Sequence, residues 1–216
     1  ALVNVNLYQS VKDDEKKLAK VLSIENQTFY DFISTSNKTV IDQEAYDRCV
    51  VRVQLIKDNE DVIALFNDAV STDFELDQVE IYNEQFLSCE TEDYKFGLKG
   101  YVDRYTVDHD KEEINIIDLK TTGKSISDFE DSIAFYNYWM QAAIYKKLVL
   151  NKVSQTAKNY KLTYRFVVID KYNQVYVFAV SDSTMETWEN ELKVTLDTAE
   201  YHCINNRYDL PYKFLT

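Results

Sequence analysis

Two acidic residues and a lysine stand where charges are out of place. Within GLKGYVDRYTVDHDKEEINIIDLKTT, Gly97 to Thr122, Asp103 interrupts one apolar strand-like run, and Asp118 and Lys120 interrupt the next. Side chains alternate along a strand, so Asp118 and Lys120 share a face with Leu119 opposite, and Asp103 on a neighbouring strand can come beside them. Two carboxylates and an amine then converge. Hard divalent cations prefer oxygen ligands, which makes such carboxylates, with a backbone carbonyl, a natural site for Mg2+ or Mn2+. An ammonium beside them can orient or deprotonate an attacking water and offset charge growing on phosphoryl oxygens. An ordinary interstrand ion pair, Asp103 or Asp118 with Lys120, is the plainer explanation of the same residues.

The elements that must position these groups follow from periodicity. Three strand-like runs, Glu84 to Cys89, Phe96 to Val107 and Glu113 to Thr121, are separated by the charged turns ETEDY and DHDKE and read as an antiparallel meander. The pattern then switches to helical spacing over Ser127 to Leu150, with Phe129, Ile133, Tyr136, Met140, Ala143, Ile144 and Leu148 facing the sheet. On that helix Gln141 and Tyr145 stand at i and i+4, hence on one face, where an amide and a phenol can reach a common ligand. A second strand pair, Lys161 to Asp170 and Gln174 to Val180, surrounds the turn Lys171-Tyr172-Asn173. A final helix runs from Ser183 to Asn205, with Ser183 as N-cap and Glu186 three residues on. Upstream, Asp13 to Ile33 has loose helical spacing, and Asp42 to Asp68 reads as a core helix broken near Asn59. The order of elements implies an α/β fold, a central mixed sheet flanked by helices.

The chain has 216 residues, 45% of them hydrophobic, enough to bury one substantial core without disulfides or structural metals. Few Gly and Pro residues and no low-complexity stretch point to a single domain over 1–216, with 1–38 as a peripheral helical extension. Cys49, Cys89 and Cys203 are odd in number and form no CxxC pair, which fits neither a disulfide framework nor a thiolate metal site. No membrane span or leader is recognisable, so the expected setting is reducing and cytoplasmic. The net charge of −13 opposes binding to nucleic acid, whose affinity comes mainly from Lys and Arg, unless basic groups or bound cations offset it locally. Lys95, Lys99, Arg104, Lys120 and Lys124 flank the carboxylates, although basic residues on strands are more often solvated.

Three motifs in order carry a resemblance: Lys99-Gly100-Tyr-Val-Asp103-Arg104, Asp118-Leu-Lys-Thr-Thr122 and Tyr138-Trp-Met-Gln141-Ala-Ala-Ile-Tyr145. Together they resemble the PD-(D/E)XK nuclease superfamily, and more narrowly the RecE-type recombination exonucleases and their phage relatives. The likeness extends in order of elements over Thr39 to Phe214. It implies a restriction-endonuclease-like core and a Mg2+- or Mn2+-dependent nuclease in which Glu84, Asp103, Asp118 and the Leu119 carbonyl hold the metal. Lys120 and Gln141 would assist the attacking water, while Tyr145, Arg104 and Thr121 contact DNA. For the first acidic ligand Glu84 competes with Glu80, which would require a longer strand or a bulge. Double-stranded DNA ends are the implied substrate, a single-strand annealing protein the implied partner, and a homo-oligomer is compatible with the family.

One departure stands out, since relatives of this kind usually carry a histidine in an early helix and no histidine precedes His109 here. His109 and His202 read as surface residues. The ligand would lie in an upstream segment, or the metal is held without it, or activity is reduced. Two competing functions remain at this level: an idle domain of the same fold binding protein through its acidic surface, and an endonuclease with the same site and no need of an end.

Overall fold

The computed structural model describes residues 12–35, 41–67, 79–154, 156–157 and 159–208. The chain divides into two compact units, one up to Val50 and one from Val51 onward. In the first, α1 (Asp14–Val21) starts where the Asp13 carboxylate accepts the N–H groups of Glu15 and Lys16 at 2.9 and 3.3 Å. Such an N-cap satisfies donors that have no partner inside the helix. The expected helix from Asp13 to Ile33 is interrupted at Ser23, after which α2 (Ile24–Thr35) begins.

The unit boundary falls within α3 (Gln43–Asp58), which buries none of its side chains. The expected core helix is corrected over most of α3, whose Tyr46, Val50 and Val53 are exposed; among its described residues Ile56, near the end, packs against a core, as does its continuation. That continuation, α4 (Glu60–Asn67), begins at the expected break, where Asn59 Oδ1 accepts the Val62 N–H at 3.0 Å. Asp68, the expected end, lies outside the described residues.

The second unit is built on a five-stranded sheet in the order β1 (Val79–Cys89), β2 (Leu98–Asp108), β3 (Glu113–Thr121), β4 (Lys161–Ile169), β5 (Val175–Val180). All neighbours are antiparallel except β3 and β4. A parallel pair cannot be closed by a tight turn and needs a crossover. Here it contains a single 3-10 turn (Ile126–Asp128), α5 (Phe129–Phe135) and α6 (Tyr138–Val153). One helix was expected over this stretch. The chain breaks at Asn137, whose φ of 56° lies in the left-handed region that Asn tolerates better than most residues. Asn137 also opens α6, its carbonyl accepting the Gln141 N–H at 3.2 Å.

The last helix, α7 (Asp182–Asn205), is capped by Ser181 rather than the expected Ser183. Ser181 is extended and its Oγ accepts the Thr184 N–H at 3.1 Å. One face of the sheet packs against α5, α6 and α7 around Tyr105, Tyr164, Phe166, Ile116 and Leu148, all buried. Burying each such side chain stabilises by about 2 kcal/mol. On the other face, Val62 of α4 joins Ile117 and Val167 in a smaller cluster. The result is an α/β fold with a restriction-endonuclease-like mixed sheet flanked by helices.

Candidate active site

Strand register brings the acidic residues to one level. Asn83 pairs with Arg104 and Gln85 with Val102, which sets Glu84 of β1 level with Asp103 of β2. Arg104 pairs with Ile117, and one step further Asp103 comes level with Asp118 of β3. The regular β2–β3 pairing ends there. Alternation is broken at the same level, because Tyr105 and Val102 are three residues apart and yet both face the main core. Tyr82 and Leu87 bracket the same break on β1, where Glu84 adopts a φ of 47°. The β1–β2 ribbon is thus kinked where Glu84 and Asp103 sit.

Asp118 is fully buried, and its Oδ1 has no hydrogen-bond partner. Lys120 Nζ forms an ion pair with Asp118 Oδ2. Burial pushes the Asp118 carboxyl up to about 6; the Lys120 ammonium opposes this shift and the neighbouring Asp103 carboxylate adds to it. Asp103 itself is half-buried, and its Oδ2 accepts the Leu119 N–H at 2.9 Å. Leu119 turns to the other face and is exposed.

A chain of side chains from α6 holds the lysine. Lys120 Nζ donates to Gln141 Oε1 at 2.8 Å, and Gln141 Nε2 donates to the Tyr145 hydroxyl at 2.7 Å. Burial raises the Tyr145 hydroxyl above its ordinary pKa; Asp118, Asp103 and Glu84 raise it further, while the Gln141 hydrogen bond opposes them. All three carboxylates of the row therefore act on one phenol. Gly100 makes room for that phenol, since a Cβ there would stand 2.9 Å from Tyr145 Cε1. The glycine of the G-x-x-D motif is required by close approach of a helix side chain, not by a special backbone angle.

The structure brings Asp103, Asp118, Lys120, Gln141 and Tyr145 together, with Glu84 at the level of the row but exposed. β1 starts earlier than expected and carries both candidate glutamates. Glu80 is engaged elsewhere, accepting from the Tyr82 hydroxyl at 2.7 Å and lying 3.5 Å from His109 Nε2. Thr121 is exposed and, one residue after Lys120, belongs to the opposite face. Arg104 turns away from the row. Its guanidinium lies 4.4 Å from the Phe66 ring, donates to Asn83 Oδ1 at 2.7 Å and has its pKa lowered by burial. His109 pairs with the Tyr160 hydroxyl at 3.0 Å.

Two residues of the site were not singled out in the sequence. Tyr138 lies under Lys120, the ammonium 4.7 Å from its ring centre, and its place in the Y-x-x-Q motif was an available signal. Tyr164 on β4 is buried with an unpartnered hydroxyl, and Asp118, Tyr145 and Asp103 all raise its pKa, after burial. It is indistinguishable in sequence from the apolar residues around it.

Among the described residues no three His, Cys, Asp or Glu side chains are already gathered as a ligand set. The donors present nevertheless fit a hard divalent cation. Asp118 Oδ1 is buried without a hydrogen-bond partner, Asp103 stands beside it, and oxygen-only donors suit Mg2+ or Mn2+ better than softer metals. Among the described residues no helix is long and apolar enough to cross a membrane.

The fold is similar to that of a candidate exonuclease from Eubacterium rectale, with a TM-score of 0.52 and 14% sequence identity over 84% of this chain. The match covers 62% of that protein's length. No curated protein matches the sequence significantly. The sequence pattern of the PD-(D/E)XK nuclease superfamily matches residues 27–207, a stretch containing every motif of the site. This chain belongs to the PD-(D/E)XK nuclease superfamily.

Proposed function

We propose that the chain is a divalent-metal-dependent deoxyribonuclease that hydrolyses phosphodiester bonds at double-stranded DNA ends. The observation that carries this reading is the adjacent Asp103 and Asp118 carboxylates sharing a site with a lysine that Gln141 holds in place. Asp103 and Asp118 would hold Mg2+ or Mn2+, with Glu84 and the Leu119 carbonyl as further oxygen donors. The bound cation supplies Lewis acidity toward a phosphoryl oxygen.

The chain's own groups do the rest. Lys120 presents an ammonium to the attacking water and to the charge that grows on the phosphate. Gln141 fixes the direction of that ammonium, and Tyr145 fixes Gln141. Tyr138 closes the far side of Lys120 with an aromatic face. Tyr145 is the proposed DNA contact at the row. Action on ends is supported by the resemblance to recombination exonucleases and by the description of the E. rectale protein. Resected ends would then be passed to a single-strand annealing protein.

The test is incubation with linear and covalently closed circular duplex DNA in Mg2+ or Mn2+, with EDTA and Lys120→Ala as controls. Metal-dependent loss of linear DNA alone, abolished in Lys120→Ala, supports the exonuclease. Cutting of circles replaces it with an endonuclease. Absence of both cleavage and calorimetric metal binding overturns the nuclease and favours a protein-binding domain, the reading that the net charge of −13 would suit.

A further inference from the structure

The corner between α5 and α6 carries aromatic rings that run from the site to the surface. Tyr138 lies beneath Lys120. Tyr136 stacks on Tyr138 with ring centres 5.5 Å apart and planes 25° from parallel, and Phe135 meets Tyr136 edge to face at 4.9 Å. Residues two apart on a regular helix point away from each other, so this stack exists only because Asn137 breaks the helix in the left-handed region. The outer rings are 54% and 75% exposed for Tyr136 and Phe135, while Tyr138 is half-buried against the core.

We propose that this ladder is a stacking platform for unpaired bases of the nucleic-acid strand whose phosphate lies at Asp118 and Lys120. The proposal rests on the nuclease reading above and deepens it, because it makes an unpaired strand, rather than a closed duplex, the form engaged next to the site. Exposed aromatic faces bind successive bases without regard to sequence. The ladder is continuous with the catalytic lysine, which fixes what can occupy it: a strand held by its phosphate at Lys120 has its neighbouring base within reach of the nearest rings. Glu130 and Asp131 on α5 oppose a phosphate track on that helix, so the contact there is with base faces. Basic charge lies instead at the ends of β3 and β4, where the Lys171 N–H donates to the Lys124 carbonyl at 3.2 Å and Lys171 Nζ sits over the exposed Tyr172 ring.

The test uses the full chain in EDTA with a short single-stranded oligonucleotide carrying a fluorescent adenine analogue, whose emission falls on stacking. Tyr136→Ala combined with Phe135→Ala should weaken binding by roughly tenfold or more and abolish the quenching, while Tyr136→Phe keeps both. The exposed positions should leave the melting temperature and metal affinity unchanged. A wild-type protein that cuts linear DNA but binds the oligonucleotide no better than the double variant overturns the platform and leaves the nuclease standing. A wild-type protein that neither binds nor cuts DNA overturns both. Concentration-dependent self-association lost in the double variant, with oligonucleotide binding intact, would assign the corner to a second copy of this chain and overturn the platform.

Discussion

The Asp103 carboxylate accepts the Leu119 N–H at 2.9 Å at the level where regular pairing between β2 and β3 stops. A side chain thus takes over from the backbone as the link between the strands. One Asp103 oxygen is committed to the fold, whereas both Asp118 oxygens are buried, Oδ2 paired with Lys120 and Oδ1 without a partner. The two carboxylates of the pair therefore have different work, one anchoring the row and the other carrying its electrostatic cost.

That cost should appear as a pH dependence. The Asp118 carboxyl is raised from 3.8 to about 6, so its protonated form suits the folded state better than its charged form. Its contribution to stability is complete below about pH 4 and is lost as pH rises through about 6. In metal-free buffer Asp118→Asn should gain on the wild type between these values by on the order of 3 kcal/mol. Urea unfolding in EDTA at pH 4.5 and pH 7 measures the difference. Added Mg2+ should close the gap at the higher pH by stabilising only the wild type.

Gln141→Leu should remove the amide that accepts from the Lys120 ammonium and donates to the Tyr145 hydroxyl. Misplacing a catalytic group costs on the order of a hundredfold in rate, and this loss should fall on kcat rather than KM. Tyr145→Phe, which removes only the outer hydrogen bond, should be milder. Steady-state kinetics on linear DNA would rank the two, and the opposite order would contradict the relay.

Gly100→Ala places a methyl group 2.9 Å from Tyr145 Cε1 and 3.5 Å from Leu148 Cδ1. Overpacking of this kind costs about 1–3 kcal/mol. Combining it with Tyr145→Leu should recover part of that loss. A double-mutant cycle by chemical denaturation measures the coupling, which should be well away from zero.

Arg104→Ala should destabilise by about 1–2 kcal/mol through loss of the Phe66 and Asn83 contacts. DNA affinity at moderate salt should be unchanged, because the guanidinium is on the face away from the carboxylates. A filter-binding titration showing a clear loss of affinity would return Arg104 to the DNA interface.

The strand bearing Asp118 and Lys120 was legible to the residue, because a charged turn precedes it and its isoleucines run up to the Asp-Leu-Lys triplet. Arg104 was expected beside the carboxylates, but regular alternation fails between Val102 and Tyr105, so spacing alone could not tell which face it takes. The start of β1 was missed because its first half alternates weakly, so the longer strand that holds both Glu80 and Glu84 was not apparent. The split between α5 and α6 depends on one backbone angle at Asn137, which helical spacing cannot reveal. Tyr164 was invisible because its hydroxyl matters only through neighbours that the crossover brings in from β3 and α6.

Gly100 and Tyr145, far apart along the chain, compete for one volume. The pair therefore behaves as a single inherited character. A descendant that enlarges position 100 must shrink or redirect the ring at position 145, and with it the support of Gln141 and Lys120. Among divergent copies of this sequence the two positions should change together or not at all, and a lineage that has lost the glycine should be among the first in which the lysine is released from selection.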